Sequence, residues 1–396
     1  MCTCFQYFLR PPHRAAKLPP GPYPLPIIGN ILHFGQNPHQ SLAKLSRTHG
    51  PLMSIHLGRI FSVVASSPQT AKQVLGKHDH AFSSRTIPMA VHAHAHHQLS
   101  LCKEHMFCTP QLEASRGLRQ EKLVKLYDYV KRCCDAGRAV DIGEAAFITT
   151  LNLVSELVVS SEVTAFDPDG ANEFKHDFES ISSVMGQSNL VDFFPVLERI
   201  DPQGIQRRAQ FCMGKLLDFI EGLVNQRLES RGRVTSAKKT DLLEKLLDLN
   251  QESDQCEFSI NDIKHLVLDL FLGATETVAN TVEWAMTELL LNPEKLSKAK
   301  QELRTVIIGE NKQVQESDIP KLPYLQAAIK ETLRLHPPVP LLIPRKSEYD
   351  VQMSGYTIPK HTLLSHNTVV LSAVFGLWAE TQAFGRTKIL LSPNDS

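Results

Sequence analysis

The chain has 396 residues, and its 42 basic side chains are balanced by 42 acidic ones. This balance creates no overall field that would attract nucleic acid, so we expect no nucleic-acid partner. Hydrophobic residues make up 42% of the chain, enough for a sizeable core in one large or two ordinary domains. The eight cysteines are scattered, which fits reduced thiols better than a disulfide framework or a zinc site, and we predict no metal-binding cluster.

The first residues carry only a short apolar stretch, far below the ~20 residues that span a bilayer, and no transmembrane helix is predicted anywhere in the chain. A proline strap follows at residues 18–26, Leu-Pro-Pro-Gly-Pro-Tyr-Pro-Leu-Pro. Such a run cannot be helical. It fits either a stiff extended segment or an ordinary proline-rich linker.

A helical pattern around Leu42 and Leu45 precedes a predicted hairpin over Leu52–Ala65, with its turn at Gly58-Arg59. From residue 111 to about 345 the periodicity is mostly helical. The pattern therefore predicts a mainly α fold with a small β region near its start. Clusters of turn-forming residues break the helical pattern near 163–170, 201–204 and 231–239.

The best-specified helix begins near Ser259, which forms a capping-box pattern with Asp262, while Phe258 and Ile263 fit a hydrophobic staple. No proline interrupts it before Pro293, which predicts a helix of roughly thirty residues. Its buried face is predicted to comprise Ile263, Leu266, Val267, Leu270, Phe271 and Ala274.

Halfway along this helix stands Gly273-Ala274-Thr275-Glu276-Thr277. An interior glycine costs about 1 kcal/mol relative to alanine. The small pair therefore indicates that something flat approaches the backbone, and an acid and an alcohol follow it. The alternative is a packing notch beside two solvated polar residues.

A second helix is predicted from Leu322 to His336, stopped by Pro337-Pro338. Glu331 and Arg334 are three residues apart, so they share a face and can pair. The alternative is a surface ion pair worth less than about 1 kcal/mol. The predicted buried stripe of this helix is Leu325, Ala328, Ile329 and Leu333.

The order of these motifs is informative. The proline strap, Gly-Ala-Thr-Glu-Thr, Lys330–Pro337 (Lys-Glu-Thr-Leu-Arg-Leu-His-Pro) and Pro344-Arg345 follow one another over roughly residues 17–360. Together they resemble the cytochrome P-450 family, in particular the plant microsomal branch that includes geraniol hydroxylases. The resemblance implies one α-rich domain around a buried haem, here incomplete at its C-terminus.

The resemblance also implies roles for individual residues. Gly273 and Ala274 would lie against the porphyrin and oxygen, and Glu276 with Thr277 would relay protons during oxygen cleavage. Arg345 would pair with a haem propionate. Glu331 and Arg334 would form the structural ion pair of the family. Ala274 and Val278 depart from the family, which usually has Gly and Thr or Ser at those positions.

The partners implied are a small lipophilic substrate, such as a terpenoid, and an NADPH-cytochrome reductase that supplies electrons. Intact relatives would sit at the cytosolic face of the endoplasmic reticulum membrane. In this chain residues 1–16 carry no such anchor, so a cytosolic or unstable product is expected.

Two further departures concern the haem itself. The family's axial thiolate comes from a cysteine after the Glu-x-x-Arg helix, yet no cysteine follows Cys256. The family's Trp-x-x-x-Arg helix is also missing, because Ser100 runs directly into Leu101 where it would stand. We therefore expect this chain to be inactive. The alternatives are a catalytically dead ligand-binding protein and a non-functional product of a degraded gene or gene model.

Residues 361–396 diverge from the family. Codons can be chosen for Phe375–Ser396 such that a shifted reading frame spells a segment like the one the family carries after its second helix. We therefore hypothesise an out-of-frame tail. Losing the arginine of that segment from the Glu331–Arg334 cluster can cost about 3–5 kcal/mol, which predicts poor folding.

Two groups of histidines are candidates for binding a metal ion or haem. His92, His94, His96 and His97 are better explained by a polar loop than by a metal site. His361 and His366 could be proposed as substitute haem ligands, because imidazole ligates haem in other proteins. Both lie in the stretch that diverges from the family, which argues against this role.

Overall fold

The computed structural model describes residues 17–35, 37–85, 109–166, 173–187, 189–231, 241–252, 259–307 and 314–366. The expectations for the histidines at 92–97, for Phe258 and for the tail beyond His366 lie outside these ranges. The chain divides into two compact units. Unit 1 comprises residues 1–86, 193–195 and 287–396, and unit 2 comprises residues 87–192 and 196–286.

The predicted hairpin is confirmed in unit 1. Strands β1 (Leu52–Leu57) and β2 (Ile60–Ala65) pair antiparallel, with Leu57 opposite Ile60. The turn therefore contains two residues, and Gly58 has a φ of 57°, a conformation that favours glycine.

The sheet extends well beyond this hairpin. Strands β3 (Ser84–Arg85), β4 (Arg345–Lys346) and β7 (Leu363–His366) complete five strands in the order β1-β2-β7-β4-β3. A separate pair is formed by β5 (Val351–Met353) and β6 (Tyr356–Ile358). The mainly α fold with a small β region is confirmed, but the β region is not confined to the start of the chain, since β4–β7 lie within residues 345–366. Strands of two to four residues are too short to show a periodic pattern.

Strand β7 lies past residue 360, where the family-like domain was predicted to end. It pairs with β2 in parallel and with β4 antiparallel, so it is an interior strand of the sheet. The ordered sheet thus continues to His366. The predicted division of the chain at residues 16 and 360 stays a prediction.

The proline strap is docked on β1. Ser54 donates its backbone N–H to the carbonyl of Pro20 at 2.8 Å. Buried Asn30 donates Nδ2 to the carbonyl of Tyr23 at 3.2 Å, and its Oδ1 accepts the backbone N–H of His56 at 2.8 Å. These bonds pair backbone groups that a free linker would leave to water, so the strap is part of the folded unit.

The predicted helix around Leu42 and Leu45 is confirmed as α1 (Pro38–His49), with Leu42 buried and Leu45 packed beside it. Unit 2 and the rest of unit 1 are mostly helical. The further helices are α2 (Pro68–Lys72, continued by a π-helical turn over Gln73–Lys77), α3 (Thr109–Ala114), α4 (Arg116–Asp135), α5 (Ile142–Val159), α6 (Glu173–Met185), α7 (Leu190–Phe193), α8 (Ile205–Arg231), α9 (Leu242–Glu252), α10 (Ile260–Leu291), α11 (Pro293–Val306) and α12 (Pro323–Leu335).

Helix α5 is long and apolar enough to cross a membrane, the one such helix in the described part of the chain. The sequence patterns predicted no helix of this kind. Most of that segment is buried, and Leu151 and Val158 lie fully inside the hydrophobic cluster of unit 2. Burial of this kind is typical of the core helix of a globular domain.

Helix α10 confirms the prediction for the best-specified helix, since it runs for 32 residues. Asp262 donates its backbone N–H to Ser259 Oγ at 3.2 Å, and Asp262 Oδ2 accepts the backbone N–H of Ser259 at 2.6 Å. This reciprocal pair is the predicted capping box. The predicted inward face is also correct. Its members, buried or partly buried in the core, are Ile263, Leu266, Val267, Leu270, Phe271 and Ala274.

Candidate functional site

The acid of the Gly-Ala-Thr-Glu-Thr motif is half-buried in unit 2. Burial raises the pKa of Glu276, and repulsion from the Glu179 carboxylate on α6 adds to the rise. The nearby Ser182 side chain, also on α6, partly offsets this rise, and the pKa stays above the ordinary value. Glu276 is therefore not a freely solvated surface acid. The alternative of a packing notch beside two solvated polar residues does not hold for this acid.

The alcohol of the motif has a different partner. Thr277 Oγ1 donates to the carbonyl of Gly273 at 2.9 Å, one turn earlier in α10. Successive residues on a helix project about 100° apart. The two side chains therefore have different surroundings. The carboxyl of Glu276 is influenced by Glu179 on α6, whereas the hydroxyl of Thr277 is bonded within α10 and its lone pairs can accept a hydrogen bond.

The small residues of the motif lie in different surroundings. Gly273 is exposed, and a Cβ added there would meet no atom within 4 Å. Ala274 is partly buried and packs against the core cluster of unit 2. Open space over Gly273 leaves room for an approaching group, and Ala274 lies beside it with part of its surface packed on the core.

Thr275 was not singled out by the sequence reasoning. It is fully buried, and its hydroxyl has no hydrogen-bond partner among the described residues. Ser182 was missed as well. No local signal could have found it, because Glu276 lies more than ninety positions away in the chain.

The predicted pair on the second helix is confirmed in unit 1. Arg334 donates Nε and Nη2 to the two carboxylate oxygens of Glu331, each at 2.7 Å. Hydrogen bonding to Glu331 raises the pKa of Arg334 above its ordinary value. Both side chains are partly buried, so this two-pronged pair is better shielded than a surface ion pair.

The predicted buried stripe of α12 was wrong for Ile329 and Leu333, whereas Leu325 and Ala328 are partly buried. Ile329 is 42% exposed and Leu333 is 40% exposed, whereas Leu322 and Thr332 are buried. An amphipathic pattern identifies an apolar face, but tertiary packing decides what covers it. Among the described residues, nothing buries this outer face.

The N-terminus of α12 is capped from another helix. Glu302 on α11 accepts the backbone N–H of Tyr324 at 2.7 Å and that of Leu325 at 2.9 Å. These N–H groups lie in the first turn of α12, where they have no partner within the helix. The carboxylate therefore satisfies two donors and interacts favourably with the helix dipole.

We expect Glu302→Ala to lower the free energy of unfolding by about 1–2 kcal/mol, because two first-turn N–H groups lose their acceptor. Urea denaturation followed by circular dichroism measures the change. Glu302→Gln keeps one side-chain oxygen and should lose only part of that stability. Equal stability of the two variants and the unmodified chain would show that the cap contributes nothing.

Arg345 lies on β4 and is already paired. Its Nη1 donates to Asp79 Oδ1 at 2.6 Å and to the carbonyl of Phe82 at 3.3 Å. Asp79 is well exposed, so the guanidinium is held by a carboxylate at the surface of unit 1. The role expected of Arg345, binding an anionic group, would require this pair to open.

The cysteines do not fit the ligation expected for a haem-thiolate protein. In the described part of the chain the cysteines are Cys133, Cys134 and Cys212, all of which precede α10. Burial raises the pKa of the Cys212 thiol, whereas a ligating thiol must be ionised. Cys133 is buried with Arg138 Nη2 3.9 Å from its sulfur, and Cys134 is exposed on α4. None stands after α12, where the axial ligand is expected.

The chain is mostly helical and has a five-stranded sheet, a 32-residue helix bearing Gly-Ala-Thr-Glu-Thr, and a Glu-x-x-Arg pair. This combination defines a haem-monooxygenase type of architecture. The comparison with known families agrees, since the family model described as cytochrome P-450 matches residues 19–384. The chain belongs to the cytochrome P-450 family, and the family implies haem as the cofactor.

The relatives are plant proteins. The chain is 47% identical to a ferruginol synthase of Isodon rubescens, over 95% of this chain and 80% of that protein. It is 47% identical to a ferruginol synthase of Salvia miltiorrhiza (95% and 79%) and 45% identical to a sugiol synthase of the same species (95% and 79%). The alignments thus span about four fifths of each relative.

Proposed function

We propose that this sequence encodes a cytochrome P-450 monooxygenase framework for a small, lipophilic, terpenoid-type substrate. Electrons would come from an NADPH-cytochrome reductase. The observation that carries the proposal is the 47% identity to a ferruginol synthase across 95% of the chain. The synthase names of the other relatives support the same substrate class.

Within unit 2, Glu276 and Thr277 are the proposed proton-handling pair, and Gly273 and Ala274 are the proposed cofactor-facing residues. The raised pKa of Glu276 supports this, because a general acid works best when its pKa lies close to the working pH, so that a protonated fraction is available to donate. Thr277 Oγ1 donates to the Gly273 carbonyl, so its lone pairs can accept a hydrogen bond from solvent or from an acid. A water molecule or a side-chain rotation would have to connect the two groups.

Within unit 1, Arg345 is proposed to hold a carboxylate group of the cofactor, and Glu331 with Arg334 is proposed to be structural. A guanidinium pairs well with carboxylates, and the exposed Asp79 can give way to a competing anion. The bidentate Glu331–Arg334 contact within one helix supports a stabilising role.

We further propose that a polypeptide of these 396 residues is inactive as a monooxygenase. The supporting observation is that no cysteine follows Cys256, while the family's axial thiolate comes from beyond the Glu-x-x-Arg helix. Relatives of this family would work at the cytosolic face of the endoplasmic reticulum membrane.

A second candidate is ligand capture without catalysis. A groove of about 530 Å³ lies between α6 and α8 in unit 2, with Val184, Phe211 and Cys212 among its apolar walls. Arg207, Arg208 and His176 add polar groups. This volume falls within the range of small-molecule sites, roughly 300–1,000 Å³.

Carbon-monoxide difference spectroscopy tests the proposal. We expect the 396-residue chain, expressed with haem supply, to give no band typical of thiolate ligation. A chimera extended with the C-terminal fifth of the Isodon ferruginol synthase should give that band, and the full-length synthase is the positive control. A thiolate band from the 396-residue chain would refute inactivity. Its absence from the chimera would count against the monooxygenase framework.

A further inference from the structure

Helices α6 and α8 run antiparallel in unit 2. The rings of Phe174 on α6 and Phe219 on α8 lie 4.5 Å apart between their centroids. Just beyond the other end of α6, Gln187 Oε1 accepts a hydrogen bond from Arg208 Nη2 at 3.1 Å. The groove of about 530 Å³ between the helices lies towards this second contact, because it is lined by α6 up to Val184 and by the first two turns of α8.

The floor of this groove is apolar. Val184 and Cys212 are buried, and burial raises the pKa of the Cys212 thiol, so this group stays uncharged at neutral pH. Phe211 forms part of the groove wall and is 65% exposed. An exposed phenyl ring beside a concave apolar floor is stabilised when a ligand covers both. The groove therefore favours a ligand with an apolar body.

Arg208 brings a positive charge to the groove. Its Nε donates to the carbonyl of Gly204 at 3.3 Å, and its Nη2 donates to the carbonyl of Gln203 at 3.5 Å and to the Gln187 side chain. These acceptors are all neutral, and no carboxylate pairs with Arg208 within the part of the chain that the structure describes. Its guanidinium is thus held in place while its charge is left without a counter-ion.

The other charged residues of the groove leave this excess uncancelled. Arg207 Nε lies 3.4 Å from Asp201 Oδ2, which also accepts the backbone N–H of Arg207, and the Arg207 side chain is 77% exposed. The carboxylate of the groove is that of Glu179, and it lies 3.7 Å from Lys175. The described lining thus carries two guanidiniums against one carboxylate that has a cation of its own.

We propose that the groove between α6 and α8 binds an anionic amphiphile, namely a carboxylic acid with an apolar body. The carboxylate would pair with Arg208 and Arg207. The apolar body would cover Phe211 and the floor formed by Val184 and Cys212. The inference rests on the ligand capture proposed for this groove and adds the chemical class of the ligand.

The geometry favours a carboxylate over an uncharged polar group. A guanidinium presents parallel N–H donors that match the two oxygens of a carboxylate, and such charge-assisted bonds are stronger than neutral ones. The three bonds that already hold Arg208 reduce the entropy lost when a ligand binds it. A neutral alcohol of the same length would make the apolar contacts but would gain little from the guanidiniums.

Isothermal titration calorimetry of the full 396-residue chain with sodium octanoate and with octan-1-ol tests this. We expect octanoate to bind more tightly than octanol. Arg208→Gln should weaken octanoate binding about tenfold and leave octanol binding unchanged, because only the acid uses the charge. Phe211→Ala should weaken both, because both probes use the ring. Added salt should weaken octanoate binding more than octanol binding.

Two further variants separate charge from structure. Arg208→Lys loses the planar fork that holds Gln187 but keeps the positive charge, so it should retain most of the octanoate affinity. Arg132→Gln removes an exposed arginine of α4 and should change neither affinity. If Arg208→Lys binds octanoate as weakly as Arg208→Gln, the residue acts through structure and the proposal is overturned.

The remaining outcomes are equally decisive. Equal affinity for octanoate and octanol, or equal effects of Arg208→Gln and Arg132→Gln, would refute the anionic class and leave ligand capture standing. Absence of saturable binding by either probe would refute ligand capture as well. Arg208-dependent binding to phosphatidylcholine–phosphatidylserine vesicles without octanoate binding would assign the groove to a lipid surface and overturn the inference. The monooxygenase proposal is judged separately by the carbon-monoxide spectra.

Discussion

Replacing Arg227 with methionine is expected to lower the free energy of unfolding by about 3–5 kcal/mol, the usual cost of removing one partner of a buried ion pair. The Arg227 side chain on α8 is only 6% exposed. Its removal leaves the buried carboxylate of Asp241 without a guanidinium, whereas Glu244 keeps its pair with Arg231. Methionine fills much of the volume, so the loss reports charge and hydrogen bonding more than a cavity.

The geometry explains why the expected loss is large. Arg227 donates Nη1 and Nη2 to the two oxygens of Asp241, each at 2.7 Å. Nη2 also donates to the carbonyl of Val159 at 2.8 Å, and Nη1 donates to Glu244 Oε2 at 3.2 Å. One planar fork thus joins α8, the end of α5 and the start of α9. Arg227→Lys cannot reproduce this fork and should also destabilise.

Urea denaturation followed by circular dichroism measures the effect. Arg199→Met makes the same chemical change at an exposed position and should alter the free energy of unfolding by no more than about 0.5 kcal/mol. If Arg227→Met lost no more stability than Arg199→Met, the pair would have to be regarded as energetically neutral.

The same cluster predicts an acid dependence of stability. Burial opposes ionisation of Asp241, but hydrogen bonds from Arg227 and Ser160 outweigh it and hold the pKa of the carboxyl below its ordinary value. A lowered folded-state pKa contributes stability above the unfolded-state pKa of about 3.9. That contribution is lost as the pH falls through the lower, folded-state pKa. In Arg227→Met this dependence should weaken, because the favourable partner of the ionised form is gone.

The second large effect is expected at Gly29, where the chain leaves the proline strap. Gly29 has a φ of 64°, and a Cβ there would lie 2.3 Å from the carbonyl oxygen of His56. The left-handed conformation alone costs a substituted residue about 1–2 kcal/mol. The overlap with backbone must also be relieved, so Gly29→Ala should separate this segment from β1.

Hydrogen exchange checks this prediction. The backbone N–H of Asn30 donates to the His56 carbonyl at 2.6 Å, and its protection should fall sharply in Gly29→Ala. Gly35→Ala is the matched control, because a Cβ at Gly35 meets no atom within 4 Å. Equal protection of Asn30 in the two variants would mean that the strap does not depend on this close approach.

Local signals in the sequence account for much of the fold. The Ser259 capping box and Pro293 bound α10, and Pro337 limits α12, because caps and prolines act within a few residues. The hairpin turn at Gly58 was predictable for the same reason. Long-range features were not. Strand β7 is four residues long and acquires its place only by pairing with β2 and β4.

The candidate site shows the same division. The sequence by itself determined the family, the order of the motifs and the Glu331–Arg334 pair, because spacing along one helix brings those two side chains together. Only the tertiary structure decided that Glu276 is partly buried, that Arg345 binds Asp79 and that the outer face of α12 stays exposed. Each of these depends on which surfaces of distant segments meet. Periodicity and capping cannot predict these contacts, since they depend only on residues within a few turns of one another.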